Sequence, residues 1–299
     1  MTAHAALNNV VSFVSENDVF HRELAYFNRQ RFSPDFPHAF WQSALHHETR
    51  MKLAEGNFVE QERSGLEETL AAVPQDATGF IAWFENLKSA GAGQGDPLFP
   101  WLAERASYDQ VRWFLHQEVA GEAGFEDLVA LTQLKMPERP KLELARNYWD
   151  EMGRGNAAGM HGPMLAKLAQ CFKVSPEPET TVWESLALGN LMIALAANRR
   201  YAWHAVGALG VIELTSPTRS IHVAQALRRL GVDGKSRVYF ELHATLDVRH
   251  SEAWNREIIG PLVAQNPRTA RAIAEGALLR LKAGARCFER YRRELAVGS

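Results

Sequence analysis

Within the stretch 239–250, three residues could hold a metal ion together: His243, Asp247 and His250. Their spacing of i, i+4 and i+7 stacks them on one stripe of an α-helix, at about 100° per residue. Leu242 and Leu246 border that stripe and Tyr239 extends it by one turn, so the spacing predicts a buried face. Two imidazoles and a carboxylate on a buried face need partners. A hard or borderline divalent cation satisfies all three at once.

Four more residues join them when the elements that must carry them are traced. Apolar residues recur at three and four, strict alternation is scarce, and breaks fall at Pro or Gly, which predicts an all-α chain. Helices are expected over 18–31, 38–56, 59–72 and 78–90, followed by a flexible connection at 91–97 whose glycines lack a phosphate-binding order. Ser107 and Gln110 have the spacing of a capping box and open the next helix, which carries Trp113, Phe114 and Glu118. Taken singly, Glu118 reads as a solvated helix residue. A helix over 142–153 carries Glu151, and the glycine-containing run 153–161 ends at His161. On a straight helix those two would point roughly 80° apart, so one centre can use both only if the chain bends or unwinds between them. A nearly all-apolar helix over 179–198 belongs in the middle of a bundle. The next, over 199–214, places Glu213 after an apolar approach where an unpaired carboxylate is costly, and Pro217 is expected to end or kink it. Asn266-Pro267 makes a break before a basic amphipathic helix over 268–295, whose Arg280, Lys282, Arg286, Arg290, Arg292 and Arg293 read as a solvated face.

Composition narrows the partners. With 299 residues, 46% of them hydrophobic, the chain can build a full core, read here as one helical domain over 1–299 in which 1–100 packs on a metal-binding core at 107–265. A formal net charge of −2, from 33 basic and 35 acidic residues, provides no global field toward nucleic acid or an anionic membrane. Cys171 and Cys287 match neither a metal motif nor a disulfide framework, which points to a reducing, cytoplasmic setting with both thiols packed as small apolar residues. No signal peptide is read at the N-terminus, and the most apolar run, 185–197, is shorter than the ~20 residues a membrane span needs. His46 and His47 are adjacent and point apart, so they read as surface residues, and His204 and His222 as structural ones.

Together Glu118, Glu151, His161, Glu213, His243, Asp247 and His250 exceed what one divalent ion needs and suit two ions bridged by carboxylate. No pair of Glu-x-x-His motifs is present, which argues against a ferritin-like bundle. The arrangement resembles the heme-oxygenase-like diiron oxidases and oxygenases. His243, Asp247 and His250 match that family's His-x3-Asp-x2-His, with Glu213 on the preceding core helix, and Glu118 and His161 before it in the family's order. Glu151 resembles the additional carboxylate found in members that oxygenate nitrogen.

That resemblance implies a heme-oxygenase-like helical bundle holding two iron ions that activate O2 as co-substrate. It places Glu118, His161 and His250 on one iron, Glu151 and His243 on the other, and Glu213 and Asp247 between them. It implies N-oxygenation of a small amine or amino-acid-like metabolite in specialised metabolism, toward hydroxylamine or nitro products, and allows an external electron donor or reductase and a homodimer. Desaturation, C–C cleavage or oxidative decarboxylation of an amino acid or fatty acid is the alternative chemistry. Trp113, Arg154, Trp203 and Tyr239 stand near these ligands in the sequence and are the substrate-pocket candidates, Arg154 as a partner for a substrate carboxylate. A heme-binding or cofactor-independent relative would not need so many carboxylates. A non-catalytic interaction protein using the basic terminal helix is the remaining class.

Overall fold

The computed structural model of the chain describes residues 15–121 and 124–298, so the first fourteen residues of the expected N-terminal segment lie outside it. Its helices are α1 (Glu16–Phe32), α2 (Trp41–Ser64), α3 (Glu67–Leu70), α4 (Ala77–Ala90), α5 (Leu98–Glu104), α6 (Tyr108–Gly121) and α7 (Phe125–Thr132). They continue with α8 (Glu138–Glu151), α9 (His161–Cys171), α10 (Trp183–Ala197), α11 (Ala202–Arg229), α12 (Gly234–Ala253), α13 (Gly260–Gln265) and α14 (Arg268–Leu295). No strand occurs among the described residues, and an isolated antiparallel bridge joins Met152 to Met160.

α11 is the axis of the bundle, packed against α12, α14, α5 and α10. Its sequence allows this because small residues let neighbours approach the backbone. A Cβ at Gly207 would stand 1.8 Å from the Ile273 carbonyl oxygen, and one at Gly276 would stand 1.9 Å from that of His204. α11 and α14 therefore cross at nearly backbone contact, in a position only glycine permits. α10 is buried almost all round, as its uniform apolarity requires. α6 opens on the expected capping box: the Ser107 amide donates to Gln110 Oε1 at 2.9 Å and the Gln110 amide donates to Ser107 Oγ at 3.3 Å.

Several expectations are corrected. Pro217 does not end its helix. α11 runs through it to Arg229, because Ser220, Val223, Ala224, Ala226 and Leu227 beyond it are buried, and their burial outweighs the missing hydrogen bond. α2 likewise continues past Gly56 to Ser64 and buries Phe58 and Val59, which exceeds the roughly 1 kcal/mol helix penalty of a glycine. Cys287 is buried, its thiol 3.3 Å from the Glu184 carbonyl oxygen, but Cys171 is exposed at the end of α9. The basic residues of α14 are not simply a solvated face. Arg286 pairs with Glu62, Arg292 with Asp96 and Arg290 with Glu294, while Arg280 turns toward an internal cavity. His46 and His47 are exposed, and His204 is a buried partner of Glu275 at 2.8 Å. Among the described residues, no helix is long and apolar enough to cross a membrane.

After His250, the helix of α12 widens into a single π-turn at Trp254–Ile259 before α13. Trp254 anchors that turn by donating from Nε1 to the Val206 carbonyl at 3.1 Å, tying the end of α12 to α11.

Candidate metal centre

Two groups of three side chains, each with ligand atoms within 4.8 Å of one another, meet where α8, α9, α11 and α12 converge: Glu151 with His161 and His243, and Glu151 with Glu213 and His250. Glu151 belongs to both. Of these five residues His243 is half-buried and the other four are buried.

The bend foreseen between Glu151 and His161 is a complete break. α8 ends at Glu151, two 3-10 turns follow at Gly153–Gly155 and Ala157–Gly159, and His161 begins α9. The Met152–Met160 bridge closes this loop into a ring, which returns the chain so that His161 Nδ1 lies 2.6 Å from Glu151 Oε2. Gly153, at φ +60°, packs against the backbone of Gly159 at a distance no Cβ could occupy.

α12 delivers the other two imidazoles on one stripe, and their surroundings set them apart. His243 Nδ1 donates to the Tyr239 carbonyl at 2.7 Å, so Nε2 keeps its lone pair. Burial and the neighbouring His161 hold its pKa down to about 4, against the pull of that carbonyl, so the ring is neutral. His250 is the reverse case. Its Nε2 donates to Asp150 Oδ2 at 3.2 Å and its Nδ1 faces Glu213 Oε2 at 3.4 Å. Burial opposes its charged form, but Glu213, Asp150 and Asp247 outweigh burial and raise its pKa to about 10.

Carboxylates are crowded here. Burial and the nearby Glu213 push Asp247 well above the usual carboxyl range, with a hydrogen bond from Ser216 acting the other way. Glu151 is raised by burial, opposed by His161 and reinforced by Glu213. Asn147 donates from Nδ2 to Glu213 Oε1 at 2.7 Å and fixes one carboxylate oxygen.

This donor set fits divalent metal. His161 Nδ1, His250 Nδ1 and Asp247 Oδ1 are buried with no partner in hydrogen-bonding geometry, although the first two face carboxylate oxygens. An imidazole lone pair opposite a carboxylate is repulsive unless a proton or a metal lies between them. Three carboxylates and three imidazoles of this kind suit iron or another borderline cation.

The remaining candidates divide. A cavity of about 70 Å3 reaches from Glu151, Glu213, His243 and Asp247 to Glu118 on α6, which is half-buried and stands apart from both three-residue groups. Burial raises the Glu118 pKa, while Arg219, Arg280 and a hydrogen bond from Tyr291 act against it. Asp247 lines the same cavity. The grouping differs from the expected division between two ions: His161 stands with His243 rather than with His250, and Glu151 is the carboxylate common to both groups. Among the substrate-pocket candidates, Tyr239 lines the cavity. Trp113 packs edge-on against Tyr291, and Trp203 packs against the core. Arg154 is exposed, in a left-handed conformation (φ 55°, ψ 38°), and donates from Nε to Asp150 at 2.6 Å instead of lining a pocket.

Asn147, Asp150, Ser216, Arg219 and Arg280 were not foreseen. Asn147 and Asp150 lie at i and i+3 on the α8 face that ends in Glu151, and that spacing is the only signal the sequence offers for them. A second cavity of about 530 Å3, mostly apolar and bounded by α1, α7 and α10, shares Leu128 with the first.

A model of the family described as iron-containing redox enzymes matches residues 112–285, more than half of the chain and the span that contains all seven candidate ligands. Among solved structures, a CADD-like protein of unknown function from Nostoc punctiforme is similar at 19% identity and a TM-score of 0.54, over 74% of this chain and 96% of that one, which shows a shared fold. A comparison with curated proteins gives no match. The fold is a heme-oxygenase-like helical bundle, and the chain belongs to the family of iron-containing redox enzymes.

Proposed function

We propose that the chain is a non-heme diiron oxygenase that uses O2 to oxidise a small amine or amino-acid-like substrate, with N-oxygenation as its chemistry. The observation that carries this reading is the place of Glu151 in both three-residue groups, the arrangement expected of a carboxylate shared by two ions. Glu151 is also the carboxylate that favours N-oxygenation over desaturation or C–C cleavage, since the seven-residue pattern reaches its nitrogen-oxygenating form only with it.

His161 and His243 would hold one ion with Glu151, and His250 and Glu213 the other. Asp247, with Oδ1 lacking a partner, is placed to join them, and Glu118 can enter from across the cavity. When bound, two ferrous ions would supply two electrons to O2 and the amine nitrogen the other two, so that one oxygen atom ends on nitrogen as the hydroxylamine and the other leaves as water with two protons; an external donor would then return two electrons to the irons.

The chain's own residues prepare this chemistry. Asp150 takes the Nε2 proton of His250 in a hydrogen bond and leaves Nδ1 to point inward. The Tyr239 carbonyl performs the same service for His243 from the other ring nitrogen. Phe125, Leu128, Leu188, Met192 and Ile212 wall the cavity and keep bulk water away from the reacting centre.

The test is an anaerobic Fe(II) titration of metal-free protein, followed by exposure to O2 with a panel of amines and amino acids, and mass spectrometry of the products. Two irons per chain and a product heavier by one oxygen on nitrogen are expected. One iron or none would remove the diiron reading, and an oxidised product without oxygen on nitrogen would remove N-oxygenation alone.

A further inference from the structure

The cavity beside the ligands measures about 70 Å3. An apolar cavity of about 150 Å3 is what a benzene ring occupies. No substrate body therefore fits beside metal ions there, and only a reacting group can enter. The body must lie elsewhere, within reach of the ligands.

The cavity of about 530 Å3 between α1, α7 and α10 meets that need. Leu128 of α7, 2% exposed, lines it on one side and the metal cavity on the other. Neighbouring residues on two more helices divide in the same way. On α6, Ala120 lines the larger cavity and Gly121 the smaller; on α10, Ile193 lines the larger and Met192 the smaller. The partition is thin, and a rotamer change at Leu128 would join the two spaces. Phe32 and Leu134, 46% and 50% exposed, stand with the exposed Arg29 and Asp127 where the larger cavity meets solvent.

The lining indicates what the body is. Its charged side chains are Arg29 and Asp127 at the rim, and Arg29 is paired with Glu177 at 2.5 Å. Deeper in, the polar donors are taken. Asn28 donates from Nδ2 to Asn190 Oδ1 at 2.9 Å, Asn190 donates to the His21 carbonyl at 2.9 Å, and Thr181 donates to the Glu177 carbonyl at 2.8 Å. Asn28 Oδ1, an acceptor, is left without a partner. Nothing inside can receive a carboxylate or offset a buried charge. The interior is otherwise aliphatic, with Ala25, Ala130, Leu131, Leu186 and Ile193 in the wall.

We propose that the larger cavity is the substrate chamber, and that the substrate is an amine on an apolar body of about eight carbons or more. The body lies in the chamber, and the nitrogen passes Leu128 to reach the ligands. A short amine would leave the chamber unfilled, and an amino acid would bury its carboxylate without a donor. This rests on the diiron reading, and the experiment separates the two.

Butylamine, hexylamine and octylamine are titrated calorimetrically under argon into Fe(II)-loaded and metal-free protein, with bound iron measured on the same samples. Affinity is expected to rise roughly threefold per added methylene in both forms. Ala25→Phe and Ala130→Phe put a ring into the chamber from α1 and from α7. Each should weaken octylamine binding at least tenfold with iron uptake unchanged, and should one fail to fold, the other decides. Leu53→Phe, on the exposed face of α2, is the control and should change neither. On admission of O2, the loaded protein should oxidise octylamine at least tenfold faster than butylamine at equal, subsaturating concentration. Affinity that does not depend on chain length overturns the proposal. So does a chain-length dependence that survives both rings, because the body would then be held elsewhere. Tight octylamine binding with no preference in turnover also overturns it, since the nitrogen would not reach the irons. A chain-length dependence that the rings remove, in protein that takes up no iron, would sustain the chamber and remove the diiron reading.

Discussion

Glu151 and His161 meet at 2.6 Å although they lie ten positions apart in the sequence, because the loop between them closes on itself at the Met152–Met160 bridge. The loop depends on Gly153. Its φ is +60°, and an added Cβ would lie 2.3 Å from the Gly159 carbonyl carbon. Gly153→Ala should therefore open the ring at a local cost of about 1–3 kcal/mol and part the two ligands. The expected result is loss of iron from a protein that still unfolds cooperatively. Gly95→Ala is the control: φ is also positive there, at +70°, but nothing lies near the added atom, so iron should be kept. Equal iron content in Gly153→Ala and the unaltered chain would show that the ring is not what brings the ligands together.

Asp150 acts on the centre from behind. Arg154 holds it from the surface side at 2.6 Å, and it holds His250 Nε2 at 3.2 Å, so a surface loop and an inner imidazole are linked through one carboxylate. Both arginine and histidine pull its pKa down against the effect of burial, which keeps it an acceptor. Asp150→Ala frees the ring of His250 to rotate and should weaken iron binding by about 10–100-fold. Asp150→Asn keeps an acceptor oxygen and should fall between the two. Competition with a metal chelator at pH 7 measures this, and unchanged affinity in Asp150→Ala would deny the residue a positioning role.

Membership in one group or in both should separate the ligands by stoichiometry. Glu151 belongs to both groups, whereas His161 belongs to one. Glu151→Ala is expected to abolish binding of both ions, and His161→Ala to leave one iron per chain. Circular dichroism on the same samples confirms that the bundle persists. Retention of one iron by Glu151→Ala would place the shared carboxylate elsewhere, with Asp247 and Glu213, which line the same cavity, as the alternatives.

Much of this architecture is legible in the chain because local spacing encodes it. His243, Asp247 and His250 share a stripe by helical period alone, and the apolarity of α10 on every side marks it as buried. Spacing fails where the chain leaves the helix. The 80° offset between Glu151 and His161 on a straight helix shows that something must bend, but only the ring through Met152 and Met160 shows how. It fails again where the partner comes from a distant helix. Nothing near Arg280 distinguishes it from Arg286 or Arg290, yet one faces Glu118 and the others pair with Glu62 and Glu294. Pro217 misleads for a related reason, since a local breaker yields to the buried residues that follow it in α11. Arg154 is close to Glu151 in sequence, but its left-handed backbone turns it outward to Asp150.

His21 provides a pH test away from the metal centre. Its ring is buried against Phe20, Phe58 and Trp183, stacked on the last with centroids 5.7 Å apart. Burial first and the Arg286 charge second lower its pKa from 6.5 to about 4, with Asp18 as the nearby acidic group acting the other way. Unfolding returns the ring to its ordinary value. Between pH 6.5 and 4 the unfolded chain therefore binds a proton that the folded chain refuses. The contribution of His21 is intact above that window and falls through it as pH drops, by on the order of 3 kcal/mol at most. His21→Phe keeps an aromatic ring in the cage and removes the titration, so its urea midpoint should fall less than that of the unaltered chain between pH 7 and pH 4.5. An NMR titration of the imidazole gives the direct measure. A midpoint near 6.5, or parallel pH profiles for the two proteins, would mean that this ring is not held neutral by its burial.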